Sequence, residues 1–271
     1  MSAVDFEAFV NRLATLSGEA IMPFFRTTLA AEDKAHGGAF DPVTEADRCA
    51  ELVMRRTIEA TFPDHGVIGE EFGAVNPQAD YVWVLDPIDG TKSFICGFPT
   101  WGTLIGLTHL GRPCYGMMHQ PFSRERFAGD GSTTFWRGPV KSAGAGQGQG
   151  EEKRRLTTRA CPTLAQATLM TTSPSLIAPQ RLPDFHRVES RVRLSRYGGD
   201  CYAYCALAAG HVDLVIESGL KPYDIVALIP IIEGAGGVVT TWDGGDPAGG
   251  GDIIACGDPA LHQIALDLLT G

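Results

Sequence analysis

At 271 residues the chain is long enough for one large domain or two closely packed halves. Its formal net charge of −10 excludes a binder that grips nucleic acid through a basic surface and favours cations near the protein. Seven scattered cysteines with no CxxC pair argue against a disulfide framework and for reduced thiols in a cytoplasmic compartment.

Apolar residues at Val4, Phe6, Phe9, Val10, Leu13, Leu16, Ala20 and Ile21 recur near the 3.6-residue period and predict an amphipathic helix over 4–26. Asp5 and Glu7 interrupt any apolar run there, and no basic segment precedes one, so neither a signal peptide nor a membrane span is expected. Residues 29–43 read as a loop or weak hairpin, and Thr44 to about Phe62 as a second helix. A short strand broken by glycines is expected in "HGVIGEEFG" (65–73), and a buried strand ending in a turn in "YVWVLDPIDG" (81–90). Residues 101–121 read as a hairpin turning at Leu110-Gly111-Arg112-Pro113, and 126–138 as another strand pair. The segment 142–155 opens on a Gly-rich loop, 142–152, and reads as a surface loop or linker between lobes of roughly 1–140 and 155–271. Its glycines lack the preceding strand and following helix of a phosphate-binding loop.

The second half interleaves strands at 168–174, 212–219, 238–244 and 252–257 with helices at 198–211, 223–237 (Pro230 inside it) and 259–269. Without a strict βαβ rhythm this predicts a layered α+β or α/β enzyme. Cys201 and Cys205 lie one helical turn apart, but no second pair of soft ligands accompanies them, so they read as buried thiols.

The chemistry concentrates in "WVLDPIDGTKSF" (83–94). Asp86 and Asp89, with the Ile88 carbonyl between them, offer a hard-oxygen cage of the kind Mg²⁺ and Mn²⁺ prefer. Pro87 stiffens the turn, Gly90 allows close backbone approach, and Thr91 adds a phosphate donor. Metal ligands and phosphate donors side by side suit phosphoryl transfer to water. Glu70 and Glu71 end the strand just upstream, and Asp224 sits at an expected helix start, where its bland reading is a cap.

With "GEE" (69–71), "DPIDGT" (86–91), "PVTEAD" (42–47) and "YDIVALIPIIEGAGG" (223–237) on the page, the chain resembles the inositol monophosphatase family of Mg²⁺-dependent, lithium-sensitive phosphatases along nearly its whole length. The second signature carries Tyr223 where many members have Trp. The resemblance implies a single domain over 1–271 with the layered αβαβα sandwich of the sugar-phosphatase type, and a homodimer. It implies two or three Mg²⁺ ions, with Mn²⁺ able to substitute, held by Glu70, Asp86, Asp89, Asp224 and the Ile88 carbonyl. It further implies a nucleophilic water between Glu70 and Thr91, with Asp47 orienting the Thr91 hydroxyl, and a phosphate bound by Asp89, Gly90 and Thr91.

Within that family, "RYGGDCYAYCALAAGHVDLVIESGLKPYD" (196–224) resembles the histidinol-phosphate phosphatase branch of histidine biosynthesis. Asp200 and Glu217 place negative charge where a cationic substrate needs it, and Arg196 matches a substrate-site arginine of that branch. The bland readings are a helix cap for Asp200 and a structural ion pair for Arg196. The expected partner is a small phosphate ester, with no nucleic acid and no membrane. The alternatives are an inositol-1-monophosphatase, a general sugar or nucleotide phosphatase, or a silent regulatory member. The last requires a broken ligand set, which this chain does not have.

Overall fold

The computed structural model describes residues 5–27, 32–33, 42–43, 45–140 and 150–271. Thr44 and most of the Gly-rich segment lie outside the described residues. In chain order the first half comprises α1 (Phe6–Ile21), the two-residue strands β1 (Glu32–Asp33) and β2 (Pro42–Val43), α2 (Glu45–Thr61), β3 (Gly66–Gly69), β4 (Gly73–Val75), β5 (Tyr81–Asp89), α3 (Thr91–Ile95), β6 (Gly102–His109), β7 (Arg112–Gln120), β8 (Glu125–Gly129) and β9 (Thr134–Pro139). The second half comprises β10 (Glu151–Arg155), β11 (Thr168–Thr171), α4 (Leu182–Glu189), β12 (Leu194–Tyr197), α5 (Asp200–Ala208), β13 (Leu214–Leu220), α6 (Pro222–Ile225), α7 (Leu228–Gly234), β14 (Val238–Thr241), β15 (Gly251–Cys256) and α8 (Pro259–Thr270).

Two large sheets result. The first has eight strands in the order β10-β9-β8-β7-β6-β5-β3-β4, and the second five in the order β12-β11-β13-β15-β14. Helices α1 and α2 bury Phe9, Leu13, Met54 and Ile58 against Trp83, Leu85 and Ile105 on the outer face of the first sheet. Helices α5 and α7 lie between the sheets, packed with Leu104, Met118 and Phe127 from one and Val215, Val239 and Ile253 from the other. Helices α4 and α8 cover the far side of the second sheet through Phe185, Val188, Leu261 and Ala265. The layers therefore run αβαβα.

Burial on both faces explains the unbroken apolar runs in the second sheet. Along β15, Ile253 and Ala255 join the middle core, whereas Ile254 and Cys256 join the outer one, with the period of two that a strand requires. The hairpin β6–β7 turns at Leu110 and Gly111, both at positive φ (50° and 79°), the conformation a tight two-residue turn needs.

The structure departs from the sequence expectation in four places. Residues 151–155 are not loop: β10 pairs antiparallel with β9 at the edge of the first sheet. The glycine-broken strand is a hairpin of β3 and β4. The single helix expected over 223–237 is two, because Pro230 has no N–H and its ring would clash with the Val226 carbonyl one turn back. Finally, α4 and β12 form where no element was assigned.

The break between α6 and α7 presses the backbone onto the first sheet. A Cβ on Gly116 would lie 1.7 Å from the Ala227 carbonyl oxygen, so β7 must carry glycine there for α6 to dock. Gly116→Ala is expected to lower stability in denaturant titration by roughly 1–3 kcal/mol, the usual range for overpacking. A midpoint equal to wild type would show that this contact does not set the position of α6.

Candidate active site

Strand β5 and its partner β6 determine which way the two signature carboxylates point. In a regular strand residues three apart face opposite sides. The register here runs Asp86 opposite Leu104 and Asp89 opposite Gly102, so one extra residue is accommodated between them. That bulge restores parity: Asp86 and Asp89 both face the middle helices, while Ile88 is buried on the other side with Ile21, Ala50 and Phe94. Asp224, in the first turn of α6, arrives from the opposite layer. Asp86, Asp89 and Asp224 each present an oxygen within 4.8 Å of the others.

The chain continues through Gly90 in the left-handed region (φ 85°), and its α-carbon abuts Asp200: an added Cβ would lie 2.9 Å from the Asp200 side chain. Glycine is therefore required there both by conformation and by space. Thr91 follows, and its hydroxyl donates to the Ile88 carbonyl at 3.1 Å.

Glu70 sits just past β3, its backbone N–H donating to the Leu85 carbonyl at 3.3 Å. The turn that carries it is anchored from α2. Glu51, wholly buried, accepts from the backbone N–H groups of Glu71 (2.7 Å) and Phe72 (3.1 Å) and pairs with Arg55 at 2.7 Å. Asp47, Glu51 and Arg55 follow at four-residue intervals and are all buried, so one face of α2 serves the site. Glu71 pairs with Arg48 at 3.6 Å.

The electrostatics are those of a crowded anionic crevice. Burial pushes the Asp86 carboxyl well above its usual range, and Glu70, Asp89, Asp224 and Asp47 push it further. Asp89 moves the same way through burial, then Asp224 and Asp200, opposed by the Cys201 backbone N–H it accepts at 2.7 Å. One Asp86 oxygen, Oδ1, is buried and has no hydrogen-bond partner among the described residues. All-oxygen donors, mutual repulsion and an unsatisfied carboxylate oxygen fit a hard divalent cation.

The residues expected to contact substrate divide. Asp89, Asp200 and Glu217 line one small pocket together with the expected metal ligand Asp224 and with Thr172 and Tyr204. Glu217 is held by the Thr172 N–H (2.6 Å) and hydroxyl (2.9 Å) and by the Thr171 hydroxyl (3.2 Å), and burial raises it to about 7. Asp200 begins α5 at φ 44°, yet its carboxylate reaches across the chain to the Ser93 and Thr100 hydroxyls rather than capping its own helix. Arg196 lies exposed on edge strand β12, opposite Met170, and is not part of that pocket lining. Sequence reasoning missed Glu51, Arg55, Thr172 and Tyr204; only the spacing of Glu51 and Arg55 after Asp47 carried a signal.

The folded value of Glu217, about 7 against an ordinary 4.5, means that folding favours its neutral form. Its contribution to stability is complete below about 4.5 and is lost as pH rises through 7. His119, buried and pulled down to about 4, changes stability in the opposite sense over part of this range, so the informative quantity is a difference. In metal-free protein, Glu217→Gln is expected to gain thermal stability relative to wild type as pH climbs from 4.5 to above 7. A difference in melting temperature that stays flat across that window would contradict it.

Three comparisons agree. The inositol monophosphatase family model matches residues 4–269. The chain is 45% identical to the chloroplastic bifunctional phosphatase IMPL2 of Arabidopsis thaliana, covering 97% of this chain and 75% of that protein. It is 34% identical to a histidinol-phosphatase of Mycobacterium tuberculosis, covering 84% of this chain and 85% of that one. Its structure superposes on an inositol monophosphatase from Zymomonas mobilis with a TM-score of 0.83 at 38% identity, over 99% of this chain and 100% of the other. The shared layers, the gathered carboxylates and these likenesses together place the chain in the inositol monophosphatase family, as a phosphatase of small phosphate esters.

Proposed function

We propose that this phosphatase is Mg²⁺-dependent and that its preferred substrate is L-histidinol phosphate, hydrolysed to histidinol and phosphate in histidine biosynthesis. The observation that carries the reading is the pairing of Asp200 and Glu217 in the pocket beside Asp89 and Asp224. A substrate bearing an ammonium and an imidazole answers that charge, whereas inositol calls for neutral hydroxyl partners. The Mycobacterium tuberculosis relative, a histidinol-phosphatase by name, supports the same reading. The Zymomonas mobilis enzyme supports a second one, inositol monophosphate hydrolysis, on the same fold.

In this proposal Glu70, Asp86, Asp89, Asp224 and the Ile88 carbonyl hold two or three Mg²⁺ ions, with Mn²⁺ able to take their place. When bound, the cations supply charge neutralisation at the phosphate and acidify water. The protein's own contribution is orientation. Thr91 commits its hydroxyl proton to Ile88, which leaves its oxygen lone pairs to accept from the attacking water opposite Glu70. Asp47, expected to orient the Thr91 hydroxyl, does not receive its proton and instead adds negative charge beside Asp86 from α2, while Gly90 and Thr91 bring backbone close to the phosphate. Lithium sensitivity, a homodimer and a reducing cytoplasm belong to the same reading; the seven cysteines are all unpaired. No described helix is long and apolar enough to cross a membrane.

Exhaustive chelation is expected to abolish phosphate release, and full activity without divalent cation would end the metal reading. Asp89→Asn keeps side-chain volume but removes a charge, and turnover is expected to fall by about a hundredfold or more with the fold retained. At fixed Mg²⁺, kcat/KM for histidinol phosphate is expected to exceed that for inositol 1-phosphate by about ten- to a hundredfold, the worth of one charge-assisted hydrogen bond. The reverse order would favour the second reading.

A further inference from the structure

Tyr204 lies one turn beyond Asp200 on the same face of α5, is only 3% exposed, and lines the pocket that holds Asp89, Glu217 and Asp224. Its hydroxyl is buried and has no hydrogen-bond partner among the described residues. The nearby carboxylates are engaged with other donors. Asp89 takes the Cys201 N–H, Asp200 the Ser93 and Thr100 hydroxyls, Glu217 the threonines at 171 and 172, and Asp224 the Lys221 N–H. A phenol is a hydrogen-bond donor, and burial, then Glu217, Asp89, Asp224 and Cys201, push its titration upward. A buried O–H beside acceptors that it does not use is unfavourable unless something entering the pocket accepts from it.

The size of the pocket says what can enter. The inner space is about 20 Å³, room for a single polar group. Through Thr172 and Asp200 it adjoins an outer cleft of about 290 Å³ between Lys92 and Phe98 on one side and Ser173 and Leu176 on the other. A ligand whose body fills the outer cleft therefore puts one group inside.

Resting on the phosphomonoesterase reading of this site, we propose that the Tyr204 hydroxyl is a substrate contact. It donates a hydrogen bond to an acceptor, a hydroxyl or a ring nitrogen, on the alcohol part of the phosphate ester. It thus selects esters whose alcohol carries such a group over plain alkyl or aryl phosphates.

The test is Tyr204→Phe, which removes one oxygen atom and no packing. With histidinol phosphate or inositol 1-phosphate, whichever the unmutated enzyme prefers, kcat/KM is expected to fall about tenfold, mainly through KM. With phenyl phosphate, whose alcohol part has no such acceptor, it is expected to be unchanged. The melting temperature of the ligand-free variant is expected to equal or exceed that of wild type, because an unsatisfied hydroxyl has been removed. Equal losses on both substrates would assign Tyr204 to the phosphate or metal region and overturn the proposal. So would no loss on either, or a lower melting temperature with a matching loss of active protein. If the unmutated protein released no phosphate from any ester with Mg²⁺, the phosphatase reading would fall first, and this assignment with it.

Discussion

Repulsion among carboxylates that the backbone forces together is the constraint on which the rest of this structure turns. Oxygens of Asp86, Asp89 and Asp224 lie within 4.8 Å of one another. At an effective dielectric of about 20, each pair of full charges at that separation repels by roughly 3 kcal/mol or more. Three such terms are comparable with the total stability of a typical domain. Neutralisation, by protons in the metal-free protein or by cations when these bind, is therefore built into the site. The upward displacement of both Asp86 and Asp89 follows from it.

That crowding persists because each carboxylate is fixed from a different layer. The β5 bulge turns Asp86 and Asp89 to the same side, and Gly116 lets the chain after α6 press against the sheet so that Asp224 meets them. Behind them, α2 supplies Asp47 and, one and two turns later, the Glu51–Arg55 pair that ties down the turn carrying Glu70. From the second half of the chain, α5 delivers the Cys201 N–H to Asp89 and the Asp200 side chain to Gly90. The site is a seam between layers, and helices sandwiched between two sheets are what bring it together.

What the sequence made legible follows from which signals are local. The apolar run into Asp86, the turn at Leu110-Gly111 and the periodicity of α1 are short-range patterns, and the structure agrees with them. Strand β10 was opaque because Glu-Glu-Lys-Arg-Arg carries no apolar alternation; its place comes from the edge of β9, not from its own residues. The two-helix break at Pro230 was legible in principle, since proline excludes the i−4 carbonyl from the helix ladder. The D-P-x-D spacing gave two carboxylates but not their common face, which depends on a register shift that only pairing with β6 defines. The approach of Asp200 and Glu217 to Asp89 spans more than a hundred residues of chain and was visible only through resemblance.

The pattern of unsatisfied atoms separates what folding requires from what binding requires. Most buried polar groups near the site are answered inside the protein: Glu51 by two backbone amides and Arg55, Glu217 by two threonines, Thr103 by the Pro87 carbonyl at 2.8 Å. Asp86 Oδ1 and the Tyr204 hydroxyl have no such partner among the described residues; Asp86 belongs to the carboxylate cluster, and Tyr204 lines the pocket that holds its other two members. A sequence shaped for stability alone would place an amide at the first position, which removes a charge, and a phenyl ring at the second, which removes an uncompensated hydroxyl, each at almost constant volume. On the proposed reading, the ligand presents positive charge to the unpartnered carboxylate oxygen and a lone pair to the unpartnered hydroxyl. A cation-bound phosphate ester with an acceptor on its alcohol meets both demands at once. The polarity of the seam thus describes its ligand more closely than its shape does.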